Sequence, residues 1–314
     1  MRNEYGDQFK PIRAKRGIPR FLPLALGLWL LAGVTRFWIA PQMTKLPADY
    51  TEETSYAARG RFRDTSDGAW EKFDLVVRRV DQTLVASSDH AIVQGDINWT
   101  TNAGEVTYES AGIYGVDPRT RTNLPGYGNV QRTGQFLFPP HVRRATYRLW
   151  DPFYSGARAA IFSHAATLEG LPVYVFNCHV RGLDETHGYT FLRDVPERYH
   201  AYSTATGKVW VEPVSGRVVD FEDAGKSYFG VAATGKPVSD FHFWSARYTP
   251  QTKWAQIRRA RSARLRLLIL ENWLPSTLLL AGLGTLTLGL RLRETHRSAP
   301  PFPPSTGGPP SPPI

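Results

Sequence analysis

Two apolar runs near the ends of the chain set its architecture. The first, "FLPLALGLWLLAGVTRFWIA" from Phe21 to Ala40, has 20 residues and a single charge, Arg36. At about 1.5 Å of rise per residue it crosses a hydrocarbon core of about 30 Å as a helix. Arg36 can reach the far interface beside Phe37 and Trp38, where aromatic rings settle. A cleaved signal peptide is the rival reading. Cleavage between Ala40 and Pro41 would set the large Trp38 ring at the −3 position, where a small residue is required, so the run reads as an uncleaved signal anchor. The second run, "WLPSTLLLAGLGTLTLGL" from Trp273 to Leu290, has 18 residues and no charge. A soluble helix is rarely apolar on all sides for that length, so this is a second span. Ala281, Thr285 and Gly289 form a small-residue ridge that suits packing on the first span or on a second copy of the chain.

The chain's formal charge of +10 is gathered next to these runs. Residues 1–20 carry six Lys or Arg, residues 253–266 carry another six, and Arg291, Arg293 and Arg297 follow the second span. Clusters bordering apolar runs point to anionic lipid headgroups as a partner, and away from nucleic acid. Nine of these charges flank the outer ends of the two spans, so both termini are assigned to the cytoplasm and the region between to the outside. The six at 253–266 oppose that rule. They are accounted for as an interfacial helix in which Trp254, Ile257, Leu265 and Leu268 recur at helical spacing, with Trp254, Arg258, Arg259, Arg261 and Arg264 contacting the membrane surface. The expected order is a basic tail (1–20), a first span (21–40), an extracytoplasmic domain (41–252), a basic juxtamembrane helix (253–272), a second span (273–290) and a Pro-rich disordered tail (291–314).

The middle reads as mainly β. Runs such as "FDLVVRRV", "AIVQGDINWT", "LPVYVFNCHV" and "KVWVEP" are rich in β-branched and aromatic residues and are divided by Gly, Pro, Asn and Asp. An antiparallel sandwich or open barrel of about two hundred residues fits, with two subdomains divided near Gly156 as the alternative. "KVWVEPVSGRVVDF" is a hairpin whose turn is set by Pro213 and Gly216, with Glu212 holding geometry. "IYGVDPRTRT" echoes it, since both place an acidic residue and Pro ahead of a hydroxyl residue. Cys178, the single cysteine, rules out an intramolecular disulfide and alternates onto one face with Tyr174, Phe176 and Val180, as a core residue.

"KLPADYTEETSY", "FLFPPHVRRATYRLWDP", "LEGLPVYVF" and "WVEPVSGRVV", in this order between two spans, resemble a bacterial family of two-span membrane proteins whose members are labelled PorA-type porins. The resemblance implies the span–domain–span layout, carries no catalytic residue with it, and raises pore formation as a function. A membrane β-barrel needs an apolar lipid-facing set in every strand, whereas "VRRVDQT" and "VQGDINWTTN" would offer charge and amide to lipid. The hairpin also resembles the Asp-Pro-x-Thr-Gly hairpin of PepSY-type extracytoplasmic modules.

Chemistry is scarcely signalled. No two of the eight histidines have the spacing of a helical zinc site, and no nucleophile elbow, P-loop or dinucleotide turn occurs, so no catalytic residue, metal or cofactor is assigned. His179 and His187 flank "VRGLDET" and could meet near Asp184 or Glu185. Asp220, Glu222 and Asp223 read as a solvated strand end. In "FPPHVRRATYRLWDPFY" arginines alternate with aromatics, so Arg143, Arg144, Arg148 and Trp150 are the candidate ligand or partner contacts. The expected function is a membrane-anchored binding or scaffold component of an envelope complex, non-enzymatic, in an inner or plasma membrane. An envelope hydrolase or transferase and a pore former are the alternatives.

Overall fold

The computed structural model describes residues 21–151 and 156–297, and the basic amino-terminal tail and the chain beyond Arg297 lie outside the described residues. The chain divides into two compact units, residues 1–39 with 270–314, and Ala40–Ile269.

The first unit is built on two helices, α1 (Leu22–Val34) and, at the other end of the chain, the helix Leu274–Arg297. Both lie in helical stretches long and apolar enough, by length and composition, to cross a membrane. They pack on small residues: Ala25 and Ala32 are buried on one helix, Gly282 and Gly289 on the other. A Cβ at Gly282 would lie 2.4 Å from Trp29 Nε1, and one at Gly289 would lie 2.7 Å from Phe21. The helices are antiparallel, since Phe21 at the start of one meets Gly289 near the end of the other, and Trp29 Nε1 donates to the Leu279 carbonyl (3.2 Å). Gly289 therefore lies against Phe21. Ala281 faces outward, and Thr285 bonds back to the Ala281 carbonyl of its own helix. The buried positions of α4 are Pro275, Gly282 and Gly289, seven residues apart, with Leu278 and Thr285 half-buried between them; Ala281 lies off this face. The helix also continues seven residues past Leu290, into the stretch read as tail.

The second unit is mainly β. A short helix α2 (Ala40–Met43) leads into β1 (Thr51–Phe62), β2 (Glu71–Ala86), β3 (Ala91–Thr101), β4 (Val106–Val116) and β5 (Asn123–Gly128). After a long connection come β6 (Thr146–Asp151), β7 (Gly156–Leu168), β8 (Leu171–Asp184), β9 (His200–Val211), β10 (Val218–Gly230) and β11 (Pro237–Tyr248). α3 (Pro250–Leu268) follows, and the helix Leu274–Arg297 is α4. All eleven strands form one antiparallel sheet, ordered β5-β4-β3-β2-β1-β11-β10-β9-β8-β7-β6. The first and last strands are thus central neighbours, paired from Tyr56↔Tyr248 to Phe62↔His242. Apart from β5 and β6, which form the two edges, consecutive strands pair with each other, the arrangement that short turns favour.

The two outer strands are also joined. Gln135 N donates to the Arg148 carbonyl (2.6 Å) and Trp150 N to the Gln135 carbonyl (2.9 Å), on the β6 side. Phe136 N donates to the Arg121 carbonyl (2.7 Å) and Asn123 N to the Gly134 carbonyl (2.9 Å), on the β5 side. A sheet whose two edges share one residue is curled on itself. Its inner face holds the core: Tyr56, Val77, Ile97, Phe138, Phe176, Cys178, Val209 and Phe221. Cys178 is buried there with Phe176, as alternation requires, and burial pushes its thiol up to about 11.

The segment from Thr186 to Tyr199 covers the inner face of β9 to β11. Leu192 and Val195 pack on Ala201, Phe229 and Phe241. Asp194 ties it down, accepting from Ser66 N and Arg198. Burial raises that carboxyl, but the bonds from Ser66 and Arg198 outweigh it and hold the group below the ordinary carboxylate range.

Candidate functional site

The turn between β9 and β10 is built by one side chain. Glu212 is fully buried; its Oε1 accepts from Val214 N (3.1 Å) and its Oε2 from Ser215 N and Ser215 Oγ (2.7 Å each). Gly216 N returns to the Glu212 carbonyl (2.9 Å), and Gly216 has φ 75°, a conformation that costs an L side chain energy. A Cβ there would also strike the carbonyls of Phe138 and Pro139 (2.6 Å each). The turn therefore grips the connection that closes the sheet: Val142 N and His141 N donate to the carbonyls of Pro213 and Val214.

The echo at Asp117 has the same construction. Asp117 Oδ1 accepts from Arg119 N (2.7 Å) and Thr120 N (3.1 Å), and Arg121 N returns to the Asp117 carbonyl with Arg121 at φ 63°. Glycine is replaced there by an arginine whose guanidinium is anchored on the carbonyls of Pro118 (2.8 Å) and Thr44 (2.9 Å). Burial lowers its pKa to about 10.

Glu212 has one more partner. Arg264 of α3 donates to Oε1 (2.8 Å), Lys253 pairs with Asp220 (2.6 Å), and Ile257 and Ala260 pack on Val173 and Val219. Thr249 caps the helix, accepting from Thr252 N (3.2 Å). Thr252, Gln256, Ile257, Ala260 and Leu267 are the buried residues of α3, with Ile257 and Ala260 on the sheet. Arg258, Arg259, Arg261 and Arg266 are exposed on the remainder, with Trp254 and Leu265 about half exposed. The expected apolar stripe is divided: Ile257 belongs to the domain core while Trp254 and Leu265 face outward, because a helix resting on a sheet spends its apolar face there. Arg264 likewise serves the turn. Arg261 also donates to the Glu169 carbonyl.

A charged layer crosses the inner face. Arg79 pairs with Asp81 (2.7 Å), which also accepts from the Tyr114 hydroxyl (2.9 Å). Arg158 bridges Asp151 and Asp223, and Asp223 accepts from Trp244 Nε1 (3.1 Å). These residues come from β2, β4, β6, β7, β10 and β11. Sequence reading did not single them out, though parity marks them: Arg79 and Asp81 share the face of inward Val77, and Asp223 that of inward Phe221. "VRRVDQT" thus sends Arg79 and Asp81 inward and Arg78, Val80 and Gln82 outward, where Arg78 pairs with Glu53 (2.7 Å). Asp220, Glu222 and Asp223 lie within β10, not at a solvated strand end, and are paired with Lys253, Lys208 and Arg158.

Beside this layer, Ser203 Oγ and Ser227 Oγ are 2.8 Å apart, and Tyr189 Oη lies 3.3 Å from both Ser227 Oγ and His242 Nδ1. His242 stacks near Trp244 and Phe73, and burial lowers its pKa to about 4. His179 and His187 do not converge. Asp184 pairs with His200 instead (2.9 Å), and no group of three metal-ligating side chains occurs among the described residues.

The four candidate contact residues do not form one site. Arg143, Arg144 and Arg148 are exposed; Arg144 lies over Phe162 and Tyr174, and Trp150 is half-buried near Arg132. Tyr147 and Leu149 of the same strand pack on the core, so alternation is correct while the aromatic–arginine cluster is split between faces.

No curated protein matches the chain. Among solved structures it is similar to a LolA superfamily protein, NE2245 from Nitrosomonas europaea, at 13% identity over 72% of this chain and 91% of that one, with a TM-score of 0.17. The family model described as Porin PorA matches residues 21–291, through both apolar helices and the whole sheet, and the chain belongs to that family.

Proposed function

We propose that this protein is a membrane-anchored binding or scaffold component of the bacterial envelope, with α1 and α4 as spans, both termini cytoplasmic and the sheet outside as an open barrel. The observation that carries this reading is α3. It is fixed to the sheet by Arg264–Glu212 and Lys253–Asp220, it presents exposed arginines on its other side, and its chain runs directly into an apolar helix. Such a helix is suited to anionic headgroups, each basic residue near the surface contributing about 1 kcal/mol.

The family name favours a second reading, a pore. Two features weigh against a bore through the sheet. Its inner face is filled by side chains and the ion-paired layer, and its outer face carries Arg78, Asp96 and Glu109, where lipid exposure would cost up to about 2–4 kcal/mol for a midplane arginine. Planar-bilayer recording of the purified protein separates the readings. The scaffold reading expects no discrete conductance, and a reproducible single-channel current would overturn it. Cross-linking in native membranes then identifies the partner.

A further inference from the structure

The outer face of β2, β1, β11, β10 and β9 carries a depression of about 670 Å³. Register explains it. One cross-strand row reads Asp74, Arg59, Ser245, Ala224, Thr206, and the next reads Lys72, Arg61, Phe243, Lys226, Thr204. Small side chains at 245 and 224 leave a trough between taller neighbours. It crosses strands about 4.8 Å apart, so it is roughly 19 Å long from β2 to β9.

Its lining includes Arg59, Arg61, Lys72 and Lys226 and no carboxylate. Arg59 and Lys226 make surface pairs with Asp74 and Asp240, which are weak and exchangeable. Arg61 is held over the rings of Trp70 (4.6 Å) and Phe243 (4.8 Å). Neither Arg61 nor Lys72 meets a carboxylate within salt-bridge distance among the described residues. All five strands are paired on both sides, so no free backbone edge is offered to an extended peptide. Cations at one end, hydroxyls of Thr204, Thr206 and Ser245 along the floor, and an aromatic ledge match a chain of acidic sugars. We propose that this trough binds an extended acidic glycan, its carboxylates on Arg59, Arg61 and Lys72. This deepens the binding reading above but needs no membrane orientation, so a titration in detergent can fail independently of the bilayer experiment.

The test is calorimetric titration of the full chain with hexagalacturonate, with maltohexaose as the neutral control. Wild-type protein should bind the uronate and not maltohexaose. Arg61→Gln with Lys72→Gln should weaken binding at least about tenfold, the loss of roughly one charged hydrogen bond. Ala224→Trp, which fills the trough without adding charge, should abolish it at an unchanged melting temperature. Equal binding of maltohexaose, retention of binding in Ala224→Trp, or equal affinity for polyphosphate or a single-stranded oligonucleotide would overturn the proposal.

Discussion

Glu212 and His242 place large demands on single side chains. Glu212 is a buried carboxylate with two backbone amides, a hydroxyl and a guanidinium as partners, so truncation leaves all four unmatched. Removing one member of such a set costs about 3–5 kcal/mol. Glu212→Ala is expected to lower the unfolding free energy from urea titration by that amount, and Glu212→Gln by less, because the amide oxygen still accepts. His242 acts through pH. Its folded pKa, near 4, lies below the ordinary 6.5, so the unfolded chain takes up the proton first. Stability is then complete above pH 6.5 and falls as pH drops from 6.5 towards 4, by up to about 3 kcal/mol. Urea titrations at pH 7.5 and 5.0 should show the loss, and His242→Phe should remove that share of it; an unchanged pH dependence in the variant would refute the assignment. The turn at Glu212 was legible in the sequence, since Pro, a hydroxyl residue and Gly at those spacings have few other uses. Arg264 as its partner was not, because a helix 52 residues away is brought there only by the tertiary fold.

Among elements, the apolar helices and the strands were the most legible, because each is specified by periodicity over many residues. The face by which α4 meets α1 was not. Several small residues occur on α4, and which of them turn inward depends on the partner helix: Trp29 requires the space that Gly282 leaves. Gly282→Val should therefore separate the pair while Ala281→Val should not. Disulfide trapping between cysteines introduced on facing positions of α1 and α4 reads the difference, with trapping expected to fall several-fold in the first variant only. Strand ends were misjudged at β10, which continues through Asp220, Glu222 and Asp223 because Lys208, Lys253 and Arg158 neutralise them. Charge ends a strand only when nothing across the sheet answers it.

At the scale of the whole molecule, two sets of hairpins, β1 to β5 and β6 to β11, meet at β1 with β11 and again through Gln135. The first join could not be read from the chain, since it depends on pairing between residues remote in sequence, and the second is made by isolated bridges of the β5–β6 connection that no turn signal marks. The proposed orientation makes a further prediction. A membrane-impermeant label on intact cells should modify a cysteine placed at exposed Leu84 and not one placed in the amino-terminal tail; the reverse would invert the topology. The central pairing also has a mechanical side. β1 begins and β11 ends at the same end of the sheet, where Tyr56 faces Tyr248, and each leads to an apolar helix. Tension drawing those helices apart would have to part α1 from α4 and strip α3 from the sheet, and would then load the β1–β11 hydrogen bonds singly from that end, like a zip opened from its tab. Strands pulled in this geometry separate at far lower force than strands sheared along their length, which makes the middle of the sheet a clasp that would yield to such a pull before its flanking hairpins.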